Sequence, residues 1–245
     1  MNKTFLFAFL AALVFAGCAA YTQTNTKISA PGASVANEPD AYYSFLSAPT
    51  SEATLARDLS VYRSLAALRD TPRWHQAIRD GSISAIPELF SEAFGMQISP
   101  ETTPAIHALV LATIKAMKKA SHAVKKAPDA SFRTRPFVAL KTQTCAPEYE
   151  AEQAKSNSYL SGHSARGWGV ALVLIELNPT RTAQIAKRGL EYGQSRAVCG
   201  YHWQSDVEDA RLLASAALAR LHAKSEFVAK LQAAKDEFTR LKSKK

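Results

Sequence analysis

The chain has 245 residues, 47% of them hydrophobic and 21% charged, a balance that excludes disorder throughout. Ten glycines and eleven prolines exclude a collagen-like or low-complexity chain, and the length suits one large domain able to bury its own core. Thirty basic against 21 acidic residues leave a net charge of +9, which admits a nucleic acid, an anionic membrane or a phosphorylated small molecule as partner without choosing among them.

Residues 1–20 read as a signal peptide: Lys3 is followed by the apolar run Phe5 to Ala16 and by the small residues Ala16-Gly17-Cys18-Ala19-Ala20. The run is far shorter than the roughly 20 residues that span a bilayer, and no later stretch is long enough. Cys18 after Ala16-Gly17 fits a lipoprotein box, so it either carries a lipid anchor or leaves with the peptide. Membrane association is expected through that anchor alone. Residues 21–40 are Thr, Asn, Ser, Ala and Pro without an apolar period and read as a flexible tether. Residues 41–245 read as one folded domain. In an exported chain Cys145 and Cys199 remain as a pair, and they are expected to form a disulfide.

From there the patterning is helical. Thr54 to Arg69 places Leu55, Leu59, Tyr62, Leu65 and Ala66 on one stripe, and Pro104 to Lys126 repeats the spacing through Ile106, Leu109, Val110, Ile114, Met117 and Val124. Trp168, Ala171, Leu172 and Ile175 continue it up to Asn178-Pro179, and Asp209 to Leu221 and Ser225 to Leu241 close the chain. Phe137-Val138-Ala139-Leu140 is the one strand candidate. With no internal repeat, the expectation is a single all-α helical bundle.

Three islands place chemistry at the breaks between helices: Lys125-Lys126 with Arg133-Thr134-Arg135-Pro136, then Ser161-Gly162-His163, then Ser195 to Asp206. Singly each has a bland reading. Arg135 could be a turn arginine, Ser161 an N-cap, His202 and Asp206 a surface pair at i and i+4, and Cys199 a buried thiol. Jointly they describe an oxyanion site. Guanidinium groups grip phosphate bidentately, and a helix N-terminus after Ser-Gly offers free N–H groups. Two histidines supply a nucleophile and an acid, and Asp206 can accept Nδ1–H of His202 and leave Nε2 unprotonated. Arg196 and His202 are six apart, the wrong spacing for one helix face, and Gly200 between them is the expected break.

These residues resemble the bacterial class A nonspecific acid phosphatases, of the larger family that includes type 2 phosphatidic acid phosphatases and vanadium haloperoxidases. That family's signature is Lys-x6-Arg-Pro, Pro-Ser-Gly-His and Ser-Arg-x5-His-x3-Asp. Ser195-Arg196, His202 and Asp206 match the third part without gaps, and Leu160-Ser161-Gly162-His163 lacks only the proline of the second. Thr71-Pro72-Arg73-Trp74 and Gly200 to Asp206 also look like class A sequence. The likeness runs from about residue 45 to 240. The first part departs: eight residues, not six, separate Lys126 from Arg135, and Pro128 stands at the family spacing. A loop two residues longer would keep Lys126 on the phosphate, with Lys125 and Arg133 as its substitutes otherwise.

The resemblance implies an acid phosphatase catalytic domain in which His202 attacks phosphorus to form a phosphohistidine, oriented by Asp206. His163 then protonates the leaving alcohol, while Lys126, Arg135, Arg196, Ser161 and Gly162 hold the phosphate. It implies phosphate monoesters as substrates, with transfer to alcohols and homo-oligomerisation left open. The signal peptide implies export to the periplasm, and the C-terminal charge run reads as a solvated helix end, so no nucleic-acid partner is expected. The resemblance implies no cofactor, and vanadate should inhibit; there is no His-x-His, Asp-x-Asp or His-Glu-x-x-His cluster to hold a metal. The alternatives are a vanadate-dependent haloperoxidase on the same site, a phospholipid or undecaprenyl-pyrophosphate phosphatase, and a non-catalytic anchored phosphate-binding protein.

Overall fold

The computed structural model describes residues 45–127 and 130–243. The expected signal peptide, the tether, Cys18 and Pro128 therefore lie outside the described residues. In chain order the helices are α1 (Glu52–Leu65), α2 (Pro72–Arg79), α3 (Ile86–Phe94), α4 (Pro104–Lys125) and α5 (Pro136–Ala139). They continue with α6 (Glu150–Gln153), α7 (Gly162–Leu177), α8 (Thr182–Val198), α9 (Gln204–Leu221) and α10 (Ser225–Lys242). No strand occurs among the described residues, and none of their helices is long and apolar enough to cross a membrane.

Local chemistry sets the ends of these helices. Ser51 and Thr71 accept the backbone N–H groups of Thr54 and Trp74 at the starts of α1 and α2, and Pro72 takes the first turn of α2 without losing a bond. Gly95, at φ +82°, ends α3 in the left-handed conformation. The strand candidate Phe137 to Leu140 is instead the short helix α5: Pro136 presets a helical φ at its first turn, and four residues between a proline and a turn have no neighbour to pair with.

Helix α7 is the axis of the bundle and packs against α8, α4 and α9, while α10 covers α4. Its sequence is apolar on nearly every side, as a helix buried all round requires. Ala165, Val170, Ala171, Val173, Leu174 and Leu177 are all buried, in one core with Leu109, Val110 and Met117 of α4 and Leu213 and Ala214 of α9. Close approach of α8 depends on Gly167, where a Cβ would run into the Tyr192 ring. A smaller cluster joins Trp74, Ala77, Phe137, Val198, Cys199 and Tyr201 beside it. The Thr54–Arg69 stripe behaves differently from expectation. Leu55 is exposed and the residue α1 buries is Asp58, at 1% exposure. Helix α1 is anchored by a charge, for the reason given below.

Candidate active site

The loops at one end of the bundle enclose a cavity of about 660 Å³. Among the residues lining it are His163 and Gly162 from the start of α7, Arg135 from the turn before α5, Lys125 from the end of α4, and Arg196 and His202 from either side of the α8–α9 turn. Three islands far apart in the chain thus meet, as the oxyanion reading requires. The α8–α9 turn itself depends on Gly200, whose φ of +83° ends α8 and turns the chain so that the N–H groups of Tyr201 and His202 both reach the Arg196 carbonyl. Arg196 and His202 therefore face one cavity despite their spacing.

His202 is 6% exposed and held at both ring nitrogens. Its Nδ1 lies 3.4 Å from Asp206 Oδ2, and Arg135 Nη1 lies 3.1 Å from its Nε2. A guanidinium N–H can only donate, so Nε2 is the acceptor, the proton sits on Nδ1 facing Asp206, and the Nε2 lone pair lies on the cavity side. Burial, followed by the Arg135 charge, pushes the His202 pKa down to about 3 against the pull of Asp206.

Asp206 occupies the first turn of α9 and accepts the backbone N–H of Trp203 at 3.0 Å and the Ser158 hydroxyl at 2.6 Å. Burial works against its charge, but His202, Arg133 and Ser158 outweigh it and lower its pKa to about 2. Arg133 donates 2.6 Å to Asp206 Oδ1 and 2.5 Å to Asp58 Oδ2. That buried Asp58–Arg133–Asp206 chain, reinforced by Asp58 on the Ser205 N–H and hydroxyl, explains why α1 buries a carboxylate. Arg133, a substitute phosphate ligand on sequence grounds, stands behind the nucleophile instead.

Arg135 is 5% exposed and tied to the Tyr201 carbonyl at 2.9 Å and the Ser156 hydroxyl at 2.9 Å. The Arg196 guanidinium stacks on the Tyr201 ring, with 4.6 Å to the centroid, and makes no hydrogen bond to the described residues, so its donors remain open to the cavity. His163 stacks on Tyr192 at 4.9 Å between centroids, and its Nε2 lies 2.6 Å from the Asp80 carbonyl oxygen. Burial first, then the Arg196 charge, carries its pKa well below the ordinary histidine value.

Two expected contacts are corrected. Lys126 follows the last residue of α4 as its cap and is exposed outside the cavity, whereas Lys125 lines it, and its ammonium donates 2.5 Å to the Asn157 carbonyl and 3.3 Å to that of Tyr159. Adjacent helical residues point about 100° apart, so only one of the pair can face inward. Burial and the neighbouring Arg135 charge lower the Lys125 pKa to about 7. Ser161 is fully buried and does not line the cavity. Its hydroxyl is the N-cap of α7, accepting the Ser164 N–H at 3.2 Å, and the first-turn N–H groups of Gly162 and His163 are what the helix leaves for an anion.

Sequence reasoning missed a support behind His163. Asp80, 1% exposed, binds the Arg188 guanidinium and accepts 2.6 Å from the Ser195 hydroxyl, to which Arg73 donates at 2.9 Å. The serine of Ser195-Arg196 thus belongs to the Asp80 network. The one available signal was Arg73 in the Thr71-Pro72-Arg73-Trp74 stretch. Cys145 and Cys199 form a disulfide with Cα atoms 4.8 Å apart, fixing the chain beside Tyr201 and His202. Among the described residues no three His, Cys, Asp or Glu side chains gather as a metal site.

Comparison with known proteins agrees with this geometry. The PAP2 superfamily model matches residues 105–227, which include every residue of the three islands. A protein named non-specific acid phosphatase from Providencia stuartii is 41% identical over 226 residues, 86% of this chain and 90% of the relative. A non-specific acid phosphatase from Salmonella typhimurium is 39% identical over 184 residues, 74% of this chain and 72% of its own. An acid phosphatase from Zymomonas mobilis is 29% identical over 97% of this chain and 90% of its own. With the histidines, arginines and helix N-terminus converging on one cavity and these relatives aligned over most of its length, the chain belongs to the PAP2 superfamily, among the bacterial non-specific acid phosphatases.

Proposed function

We propose that the protein hydrolyses small phosphate monoesters through a phosphohistidine on His202, without a metal ion. The observation that carries the reading is the double fixing of His202, with Asp206 on Nδ1 and the cavity-facing Nε2 held as a lone pair by the Arg135 N–H. A histidine whose pKa is near 3 keeps that lone pair in acid solution, where an unperturbed imidazole would be protonated.

The phosphoryl group would be held by Arg135, Arg196 and the N–H groups of Gly162 and His163, with the Lys125 ammonium adjacent. These cations neutralise the charge that develops on the equatorial oxygens, the task a metal performs in other phosphoryl-transfer sites. His202 Nε2 attacks phosphorus in line as the P–O bond to the leaving group breaks, and the phosphohistidine forms. His163 donates Nε2–H to the Asp80 carbonyl, so Nδ1 is the atom left to protonate the leaving oxygen. The charged groups around it are mostly cations, and a bound phosphate dianion supplies the counter-charge that raises its pKa toward protonation. Water, deprotonated by His163, then attacks the phosphohistidine and releases phosphate; an alcohol in place of water would give phosphotransfer. The Lys3 to Ala16 segment and the Cys145–Cys199 disulfide support export to the periplasm.

The test is p-nitrophenyl phosphate hydrolysis with EDTA present, with and without orthovanadate, which mimics the transferring group. Turnover that survives EDTA and falls with vanadate is expected. His202→Ala should abolish it, and His163→Ala should leave slow phosphoenzyme formation, because p-nitrophenolate departs with little acid help. Wild-type rates in His202→Ala would overturn the mechanism.

A further inference from the structure

Arg166 lines the same cavity one helical turn beyond Gly162, yet none of the steps above uses it. It is 9% exposed, and its one hydrogen bond among the described residues, 2.9 Å from Nη1 to the Gly162 carbonyl, leaves most of its five N–H donors without an acceptor among them. No carboxylate among the described residues pairs with it, and burial lowers its pKa from the ordinary guanidinium value. Buried guanidinium groups are ordinarily paired, because taking the charge out of water is costly. The other arginines of the site have their work: Arg133 on Asp58 and Asp206, Arg135 on Tyr201, Ser156 and His202, Arg188 on Asp80, and Arg196, open to the cavity, on the phosphate to be cleaved.

The surroundings of Arg166 are positive as well. His122, on the same wall of the cavity, is held below the ordinary histidine pKa first by burial and then by Lys118, Lys126, Arg166 and Lys125. Ser121, next to it, places its hydroxyl and the Arg166 Nη1 around Gly162, where a Cβ would meet them at 2.9 and 3.5 Å. Of the other lining residues, Glu148 and Tyr149 are exposed. At about 660 Å³ the cavity falls within the roughly 300–1,000 Å³ of small-molecule sites, more room than one phosphate group needs.

We infer that Arg166, with His122 and Ser121, forms a second anion subsite that receives a phosphate group carried by the leaving group of the substrate. The subsite rests on the phosphatase reading of the cavity and adds a substrate class to it: small bisphosphates, whose far phosphate docks on the α4–α7 wall while the near one is cleaved. A planar guanidinium grips such a group bidentately, and the clustered charge favours a dianion over a carboxylate.

Non-hydrolysable ligands test the subsite without turnover. Propane-1,3-bisphosphonate, 4-phosphonobutyrate and propylphosphonate share a spacer and differ in the far group: a phosphonate, a carboxylate or none. By calorimetry on the full chain, wild type is expected to bind the bisphosphonate at least tenfold more tightly than propylphosphonate, with 4-phosphonobutyrate between them. Arg166→Met should bring the three to within about threefold of one another. Equal affinities in wild type, a carboxylate bound best, or an undiminished bisphosphonate preference in Arg166→Met would each overturn the inference. If Arg166→Met does not fold, Arg166→Lys carries the test, with the preference expected to fall at least threefold because the planar fork is lost; an unchanged preference overturns it. Wild-type turnover of p-nitrophenyl phosphate is measured beside these, so failure of the phosphatase reading shows separately from failure of the subsite.

Discussion

The imidazole Nε2 of His163 lies 2.6 Å from the backbone carbonyl oxygen of Asp80, a residue 83 positions earlier in the chain. A carbonyl can only accept, so this contact fixes the histidine tautomer and, with the stacked Tyr192 ring, its orientation. The carbonyl is in turn held because the Asp80 side chain is locked by Arg188 and Ser195. The candidate proton donor is positioned by a carboxylate that does not touch it.

Breaking that lock should therefore affect fold and rate together. Removing one partner of a buried ion pair leaves an uncompensated charge and costs about 3–5 kcal/mol. Arg188→Met is expected to lower stability by that order in urea denaturation. It should also slow substrates with poor leaving groups more than p-nitrophenyl phosphate, since the acid is what has been displaced. Uniform slowing of all substrates would show that His163 stays in place.

The lysines give a test of register. Lys125→Met is expected to reduce kcat/KM by roughly 30- to 1000-fold, the scale of about 2–4 kcal/mol for losing a positioned charge next to a transferring group. Lys126→Met, an exposed helix-cap position, should change it less than about threefold. The resemblance and the expected helix end at Lys126 point to Lys126 as the inward residue despite the longer spacing to Arg135; the helix phase at the end of α4 selects its neighbour. Steady-state kinetics of both variants decide the matter.

His202 links pH to both activity and stability. Its folded pKa of about 3 lies below the ordinary 6.5, so as pH falls below about 6.5 the unfolded chain takes up a proton that the folded protein refuses. Stability from this group is accordingly lost with falling pH, across the window from about 6.5 down to 3. The acid limb of kcat/KM should lie well below pH 6.5. Arg135→Gln removes the charge that, after burial, does most to depress the pKa, so its acid limb should move to higher pH. A limb that stays put in the pH profile would rule out Nε2 as the titrating nucleophile.

The Cys145–Cys199 disulfide closes a loop with a sequence separation of 54. In the chain-entropy model a loop of that size contributes about 4 kcal/mol. Replacing both cysteines by alanine should lower the midpoint of thermal unfolding, and calorimetry of the double variant measures the shift. Thiol titration of the denatured, unreduced protein should find neither cysteine free.

Much of the site was legible in the sequence because its chemistry is carried by residue types at fixed local offsets. His202 and Asp206 are four apart at a helix start, Ser161-Gly162 opens α7, and Gly200 breaks α8, all of which short-range geometry dictates. The helical character of α4, α7 and α10 was equally plain from the period of their apolar residues. Helices α2, α3 and α8 were not, since α8 turns a largely polar face outward and α2 and α3 are short. What only the tertiary structure decided were the long-range pairings. Asp58 finds Arg133 and Ser205, Asp80 finds Arg188 and the His163 ring, and Arg166 is left with open donors in the cavity. A sequence shows that a charge exists, but whether it is solvated, paired or aimed at a ligand depends on which distant segment the packing of α7 brings against it. Lys125 and Lys126 show the limit most directly: identical side chains one residue apart, separated in role by about 100° of helix rotation.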